Sequence, residues 1–185
     1  MTADEAAALV APAVAPAGGR WADLGAGTGT FTRALARLLG PAGEVHAVDR
    51  DPAAIAALER LARRAPPGEA PVRVLAGDIA ADPPLPLPPL DGLLLANALH
   101  FVPAAGQSPL LARLAGHLRP GGALVVVEYD GRAPSRWVPW PVSRRRLDEL
   151  AAAARLAAPV AIGERPSAYG GTMYAAVMGG RSPSS

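Results

Sequence analysis

The sequence predicts an α/β fold: a doubly wound, mostly parallel sheet with helices on both faces and an antiparallel hairpin at the C-terminal end. Three observations carry this. Short apolar runs alternate with segments of helical spacing along most of the chain. Two of those runs, Leu93–Ala96 and Ala123–Tyr129, are continuously apolar over most of their length, the pattern of strands covered on both faces. The last two candidate strands follow one another with no helix between them, so they pair as a hairpin and one of them opposes the rest. Alternation of strand and helix also implies right-handed crossovers.

Each element has its own signal. Thr2 and Glu5 have the spacing of a capping box and open an Ala-rich helix that Pro12 and Pro16 end or kink. Arg20–Leu24 reads as the first strand. Phe31, Leu35, Leu38 and Leu39 follow helical spacing, and Gly40-Pro41 stops that helix. Glu44–Val48 is the second strand. Asp51 caps a helix with Pro52 at its first position, and Ile55, Leu58 and Leu61 form its apolar stripe. Val72–Leu75 is the third strand. Residues 82–91, DPPLPLPPLD, predict an extended surface connection, because each proline fixes φ and removes a donor. Leu93–Ala96 is the fourth strand. Ser108-Pro109 opens a helix carrying Leu111, Leu114 and Leu118, and Pro120-Gly121-Gly122 makes a turn. Ala123–Tyr129 is the fifth strand. Ser143 caps a helix through Leu156, and Val160–Glu164 with Met173–Met178 form the hairpin. The expected organisation is one domain over residues 1–178 and a flexible tail over 179–185.

Composition narrows the function. The chain has 185 residues, enough for one domain with its own core, and its 50% hydrophobic and 18% charged content excludes a disordered scaffold. No apolar run reaches the ~18 residues needed to span a bilayer, so no membrane association is expected. The first residues lack a basic leader and do not read as a secretory signal, which makes the cytoplasm the expected compartment. With no cysteine there is no disulfide framework, no Cys-zinc site and no thiol nucleophile, and three scattered histidines show no metal spacing. The isoelectric point near 9.6 suggests a nucleic-acid binder, yet the net charge is only +2. All 18 basic residues are arginine, so few groups titrate in the alkaline range and a small excess persists. Aromatic residues are 4% of the chain and are not interleaved with a basic stripe, so no nucleic-acid partner is expected.

The chemistry-bearing residues gather where strands end. The first strand runs into Asp23-Leu24-Gly25-Ala26-Gly27-Thr28-Gly29-Thr30, and a helix follows at once. Glycines there let the chain turn sharply and let a ligand approach the backbone. The dinucleotide pattern G-x-G-x-x-G would need glycine at position 30, where this chain has Thr30. Asp49 ends the second strand beside that loop, where an acid accepts both hydroxyls of a ribose. Gly77-Asp78 follows the third strand, and Asn97 to His100 follow the fourth.

These motifs, in this order and together with Leu118-Arg119-Pro120-Gly121-Gly122, resemble those of class I S-adenosylmethionine-dependent methyltransferases over residues 18–130. The resemblance implies a seven-stranded sheet with a reversed last strand and S-adenosylmethionine as cofactor. It implies that Gly25, Ala26, Gly27, Thr28 and Gly29 lie against the methionine part. Asp49, followed by Arg50, holds the ribose, Asp78 the adenine amino group and Ile79 the adenine face. Asn97, through its main chain, lies near the methionine amino group, and Asp23 orients the loop or reaches that group through water. The implied activity is methyl transfer to an acceptor, with a small molecule expected.

An amine or phenol acceptor needs a base, and His100, Glu128 and Asp130 all fall at the carboxyl edge; His100 is the catalytic candidate. The segment from Asp130 to Val142 leaves the same edge and carries three prolines and two tryptophans. Arg136, Trp137 and Trp140, with Tyr169 from the hairpin, are the candidate acceptor wall, against the alternative that the tryptophans only pin the segment to the sheet. Two other functions stay open: a non-catalytic binding or assembly subunit of the same fold, which the acids at 49 and 78 oppose, and a nicotinamide-dependent dehydrogenase, which Thr30 opposes.

Overall fold

The computed structural model describes residues 1–14, 17–81, 85–167 and 170–179. Seven strands form one sheet in the order β3-β2-β1-β4-β5-β7-β6. They are β1 (Gly19–Leu24), β2 (Gly43–Asp49), β3 (Val72–Ala76), β4 (Leu90–Ala96), β5 (Leu118–Asp130), β6 (Val160–Pro166) and β7 (Thr172–Gly179). β1 to β5 pair in parallel, while β7 runs antiparallel to both β5 and β6. The helices are α1 (Ala3–Val14), α2 (Thr30–Leu39), α3 (Pro52–Arg63), α4 (Ala104–Ala115) and α5 (Arg144–Ala153).

The two-residue period of the strands distributes the apolar runs between two cores. Leu93, Leu95, Leu124 and Val126 face one side, where Leu110, Leu111 and Leu114 of α4 meet Leu147 and Leu150 of α5. Leu94, Val125 and Val127 face the other, with Leu9 and Val10 of α1 and Leu35 and Leu39 of α2. Burial of both faces explains why β4 and β5 lack polar alternation.

Local signals held where a hydrogen bond could enforce them. Thr2 and Glu5 close a reciprocal capping box at 2.8 and 3.2 Å. Asp51 Oδ1 accepts from the Ala53 amide at 2.7 Å, and Pro52 takes the first position of α3. Ser143 Oγ accepts from the Arg146 amide.

Elsewhere packing overrode punctuation. Pro12 lies inside α1; Pro16 is outside the described residues. Ser108-Pro109 does not open α4, which starts at Ala104 and keeps Pro109 inside. Proline lacks only one amide, and the buried face of Leu110, Leu111 and Leu114 carries the helix through. Leu118 belongs to β5, and Pro120-Gly121-Gly122 forms an irregularity inside that strand rather than a separate turn. α5 ends at Ala153 rather than Leu156, where Arg155 takes φ of 57°. Of the connection over 82–91, residues 85–89 carry no regular structure and 82–84 lie outside the described residues. Leu85 and Leu87 nevertheless pack on the core from this segment. β7 includes Gly179, one residue beyond the expected domain end, and the rest of the expected tail, 180–185, is outside the described residues.

Candidate active site

The carboxyl ends of β1 to β5 open into one cavity of about 690 Å³, within the range of small-molecule sites. Its position follows from the topology: the chain departs from β1 and β4 toward opposite faces, which leaves a crevice between them.

Positive φ shapes the loop after β1. Gly25 has φ of 74° and a Cβ there would sit 2.7 Å from that of Ala98. Gly27 has φ of 55° and faces open space, so its hydrogen leaves the backbone bare toward a ligand. The Gly27 amide donates to Asp49 Oδ2 at 2.8 Å, and the Asp51 amide donates to Asp49 Oδ1 at 2.9 Å. Each carboxylate oxygen thus keeps lone-pair capacity for a further donor, which is what two vicinal hydroxyls demand. Asp78 Oδ1 accepts from the Ala80 amide and Oδ2 from Arg50 Nη1, both at 2.8 Å. The Ala80 bond holds its carboxyl below the usual range; burial opposes it, and the Arg50 guanidinium adds to the lowering. Arg113 Nη2 donates to the Ile79 carbonyl at 2.7 Å and pins that residue in the wall.

The other end of this half is polarised for a cation. Asp23 is buried and accepts from Thr32 Oγ1 at 2.6 Å. Burial pushes its carboxyl up to about 7, opposed by the Thr32 bond and reinforced by the charge of Asp49. Asn97 has φ of 53°, its amide donates to the Val127 carbonyl at 2.8 Å, and its Oδ1 is buried with no partner among the described residues. An unused acceptor and a carboxyl held near neutrality, both on the cavity wall, suit an ammonium or sulfonium ligand.

The candidate cofactor residues Asp23, Gly25, Ala26, Gly27, Asp49, Arg50, Asp78, Ile79 and Asn97 all line this cavity. Thr28 and Gly29 do not: Thr28 is exposed, and Gly29 packs toward Leu58 and Leu61 of α3.

The acceptor candidates are placed differently. Trp137 and Trp140 are 65% and 45% exposed, and neither they nor Arg136 lines the cavity. Nor do the tryptophans pin their segment to the sheet. Val138 and Val142 are the buried residues there, and Tyr174 Oη donates to the Val142 carbonyl at 2.9 Å. Arg136 stacks on the Trp137 ring at 4.4 Å. Tyr169 lies outside the described residues. The cavity wall also includes Phe31, Phe101, Pro103, Tyr129, Arg165 and Met173. Of these, Tyr129 was within reach of sequence reasoning, since it ends the strongest strand; the others converge only through the fold.

His100 is 2% exposed and is not itself a lining residue, although Ala98, Phe101 and Val102 of the same turn are. Its Nδ1 lies 2.7 Å from Glu128 Oε2, and its amide donates to Glu128 Oε1 at 3.1 Å. Glu128 is fully buried. The Phe101 ring stands 4.4 Å from the His100 ring. Gln107, which the sequence did not single out, fastens this turn: its Nε2 donates to the Val102 and Trp140 carbonyls at 3.3 and 3.1 Å.

A seven-stranded sheet with a reversed β7, and a strand-end carboxylate held by a glycine-loop amide, define a Rossmann-like protein of the methyltransferase type. The methyltransferase domain profile matches residues 22–122, and the chain belongs to that family, whose cofactor is S-adenosylmethionine. Acetylserotonin O-methyltransferase of Mus musculus is 42% identical over 123 residues, which is 62% of this chain and 30% of the mouse protein. The chain thus spans less than a third of the length of that relative. The fold is shared with 1,6-didemethyltoxoflavin-N1-methyltransferase of Burkholderia thailandensis, solved with bound 1,6-didemethyltoxoflavin and S-adenosylhomocysteine. That match has a TM-score of 0.74 and 22% identity, and covers 98% of this chain and 79% of that one. An O-methyltransferase family 2 protein of Planctomyces limnophilus, solved with apigenin, aligns at a TM-score of 0.67 and 22% identity over 95% of this chain and 56% of its own. No described helix is long and apolar enough to cross a membrane.

Proposed function

We propose that this chain carries out S-adenosylmethionine-dependent methyl transfer to a hydroxyl of a small molecule, with His100 as general base and Glu128 as its positioning residue. The cofactor supplies the methyl group from its sulfonium. Asp49 binds the ribose, Asp78 and Ile79 bind the adenine, and Asp23 with Asn97 orient the cationic end. In-line displacement then needs mainly alignment of the acceptor. A hydroxyl must lose its proton as it attacks, and that proton goes to His100.

The observation that carries the oxygen acceptor is the buried His100–Glu128 pair on the turn that also supplies Ala98, Phe101 and Val102 to the cavity. A carboxylate on Nδ1 fixes the tautomer and leaves Nε2 as the basic atom. The O-methyltransferase names of the mouse and Planctomyces relatives support the same class of acceptor.

The test is a panel of phenols and catechols with S-adenosylmethionine, comparing wild type with His100→Ala and His100→Gln. Loss of kcat with S-adenosylhomocysteine affinity intact supports the assignment. Turnover unchanged in both variants would show that the acceptor needs no base, and absence of S-adenosylhomocysteine binding in wild type would remove the cofactor assignment itself.

A further inference from the structure

A second, smaller groove opens between the start of α2 and the C-terminal end of α3. It measures about 210 Å³, and Arg33, Arg60, Arg64 and Glu69 line it together with Leu61 and Pro66. It shares no lining residue with the cofactor cavity.

Three arginines and one carboxylate line it, and that carboxylate is engaged by Arg37 outside the groove. Glu69 Oε1 lies 3.0 Å from Arg37 Nε but 4.0 Å from Arg33 Nε. Arg33 Nε is buried with no hydrogen-bond partner among the described residues. The local acid on α3, Glu59, pairs with Arg63 at 3.7 Å rather than with Arg60 or Arg64.

The helix dipole accounts for only part of this. Cations at the C-terminal end of α3 are favourable one by one, although Arg60 and Arg64 stand a turn apart and repel. Arg33 is different. It sits at the positive N-terminal end of α2, whose first turn holds no acid, so its placement is electrostatically unfavourable in isolation. An anion in the groove removes both penalties at once.

We propose that this groove is a phosphoryl-binding site in which Arg33 of α2 and Arg60 and Arg64 of α3 close on one dianion. Planar guanidinium forks match phosphoryl oxygens, and the charge-assisted bonds are strong. The volume is below the ~300 Å³ at which drug-sized sites begin, so the groove takes a phosphoryl group or pyrophosphate rather than a whole nucleotide.

The test is calorimetry on the full chain at ionic strength held constant with chloride. Inorganic phosphate, pyrophosphate and ribose 5-phosphate are the probes; the third distinguishes a phosphoryl group on an organic body from the free ion. Saturable one-site binding of any of them is expected. Arg60→Ala with Arg64→Ala should weaken it by about tenfold or more, the scale of lost hydrogen bonds to a charged group. Arg33→Gln should do the same, while Arg145→Ala with Arg146→Ala on α5 should leave it unchanged. Because Arg60 and Arg64 are exposed, their variant keeps the fold, and phosphate should raise the melting temperature of wild type but not of that variant. Heats that never saturate in wild type, or equal weakening by the α5 pair, would overturn the site.

Discussion

The two halves of the cavity are built differently. On the cofactor half, each side chain stands within a residue or two of a strand's carboxyl end and is held by backbone amides from its own or the adjacent turn: Asp49 by Gly27 and Asp51, Asp78 by Ala80. On the half proposed for the acceptor, Phe31, Tyr129, Arg165 and Met173 come from α2, β5, β6 and β7 and meet only because the sheet folds. Arg165 is held by Glu5 of α1, at 2.9 Å, and that bond lowers the Glu5 carboxyl to about 2. Local scaffolding suits a ligand whose shape never changes. A wall assembled from distant elements can be altered residue by residue without touching the cofactor contacts.

Several substitutions would break or sharpen this contrast. The largest effect should come from the buried pair behind the cavity wall. Glu128→Ala leaves the His100 amide and Nδ1–H without their buried acceptor and should destabilise the fold by ~1–3 kcal/mol for each stranded donor, measured by urea denaturation. Little loss would mean that the pair is not what holds the turn after β4.

Next comes the cofactor half. Asp49→Ala should weaken S-adenosylhomocysteine binding by ~1.5–3 kcal/mol in calorimetry, while Met173→Ala leaves that affinity unchanged and raises the acceptor KM. If both variants lost cofactor affinity equally, the division into halves would fail.

Asp23 links the cofactor half to pH. Its carboxyl is raised to about 7 in the folded protein from 3.8, so between these values the folded state holds a proton that the unfolded state has released. Stability therefore falls as pH rises from about 4 toward 7 and is level above. A cationic ligand favours the ionised form, so cofactor affinity should rise with pH across the same window, by at most about tenfold per unit. Asp23→Asn should flatten both profiles; a wild-type affinity independent of pH would show that Asp23 stays ionised.

Smaller effects test a helix cap on the cavity rim and an exposed aromatic away from it. Asp51→Ala should lower stability by ~1 kcal/mol through the lost cap of α3, with cofactor affinity nearly unchanged. Trp137→Ala should stay within ~0.5 kcal/mol of wild type in chemical denaturation, as an exposed residue outside the wall. A larger loss would give the tryptophan an anchoring role that its exposure argues against.

The sequence by itself determined the succession of strands and helices, the reversed hairpin and the placing of the glycine loop and the acids at strand ends. Apolar period, glycine at positive φ and carboxylates at strand ends are local signals, enforced by hydrogen bonds within a turn or across one strand pair. What Trp137 and Trp140 do was not local. Their size suggested a wall or an anchor, yet Val138 and Val142 took the buried positions of that segment, because its path leaves those side chains facing the sheet. The same holds for Pro109, which the core face of α4 carried inside the helix, and for Glu128. Its place in the sequence puts that carboxylate at the carboxyl edge, among the possible bases. Only the tertiary structure decided that it is fully buried against His100, because whether a polar group is tolerated in a core depends on the partner the fold brings to it.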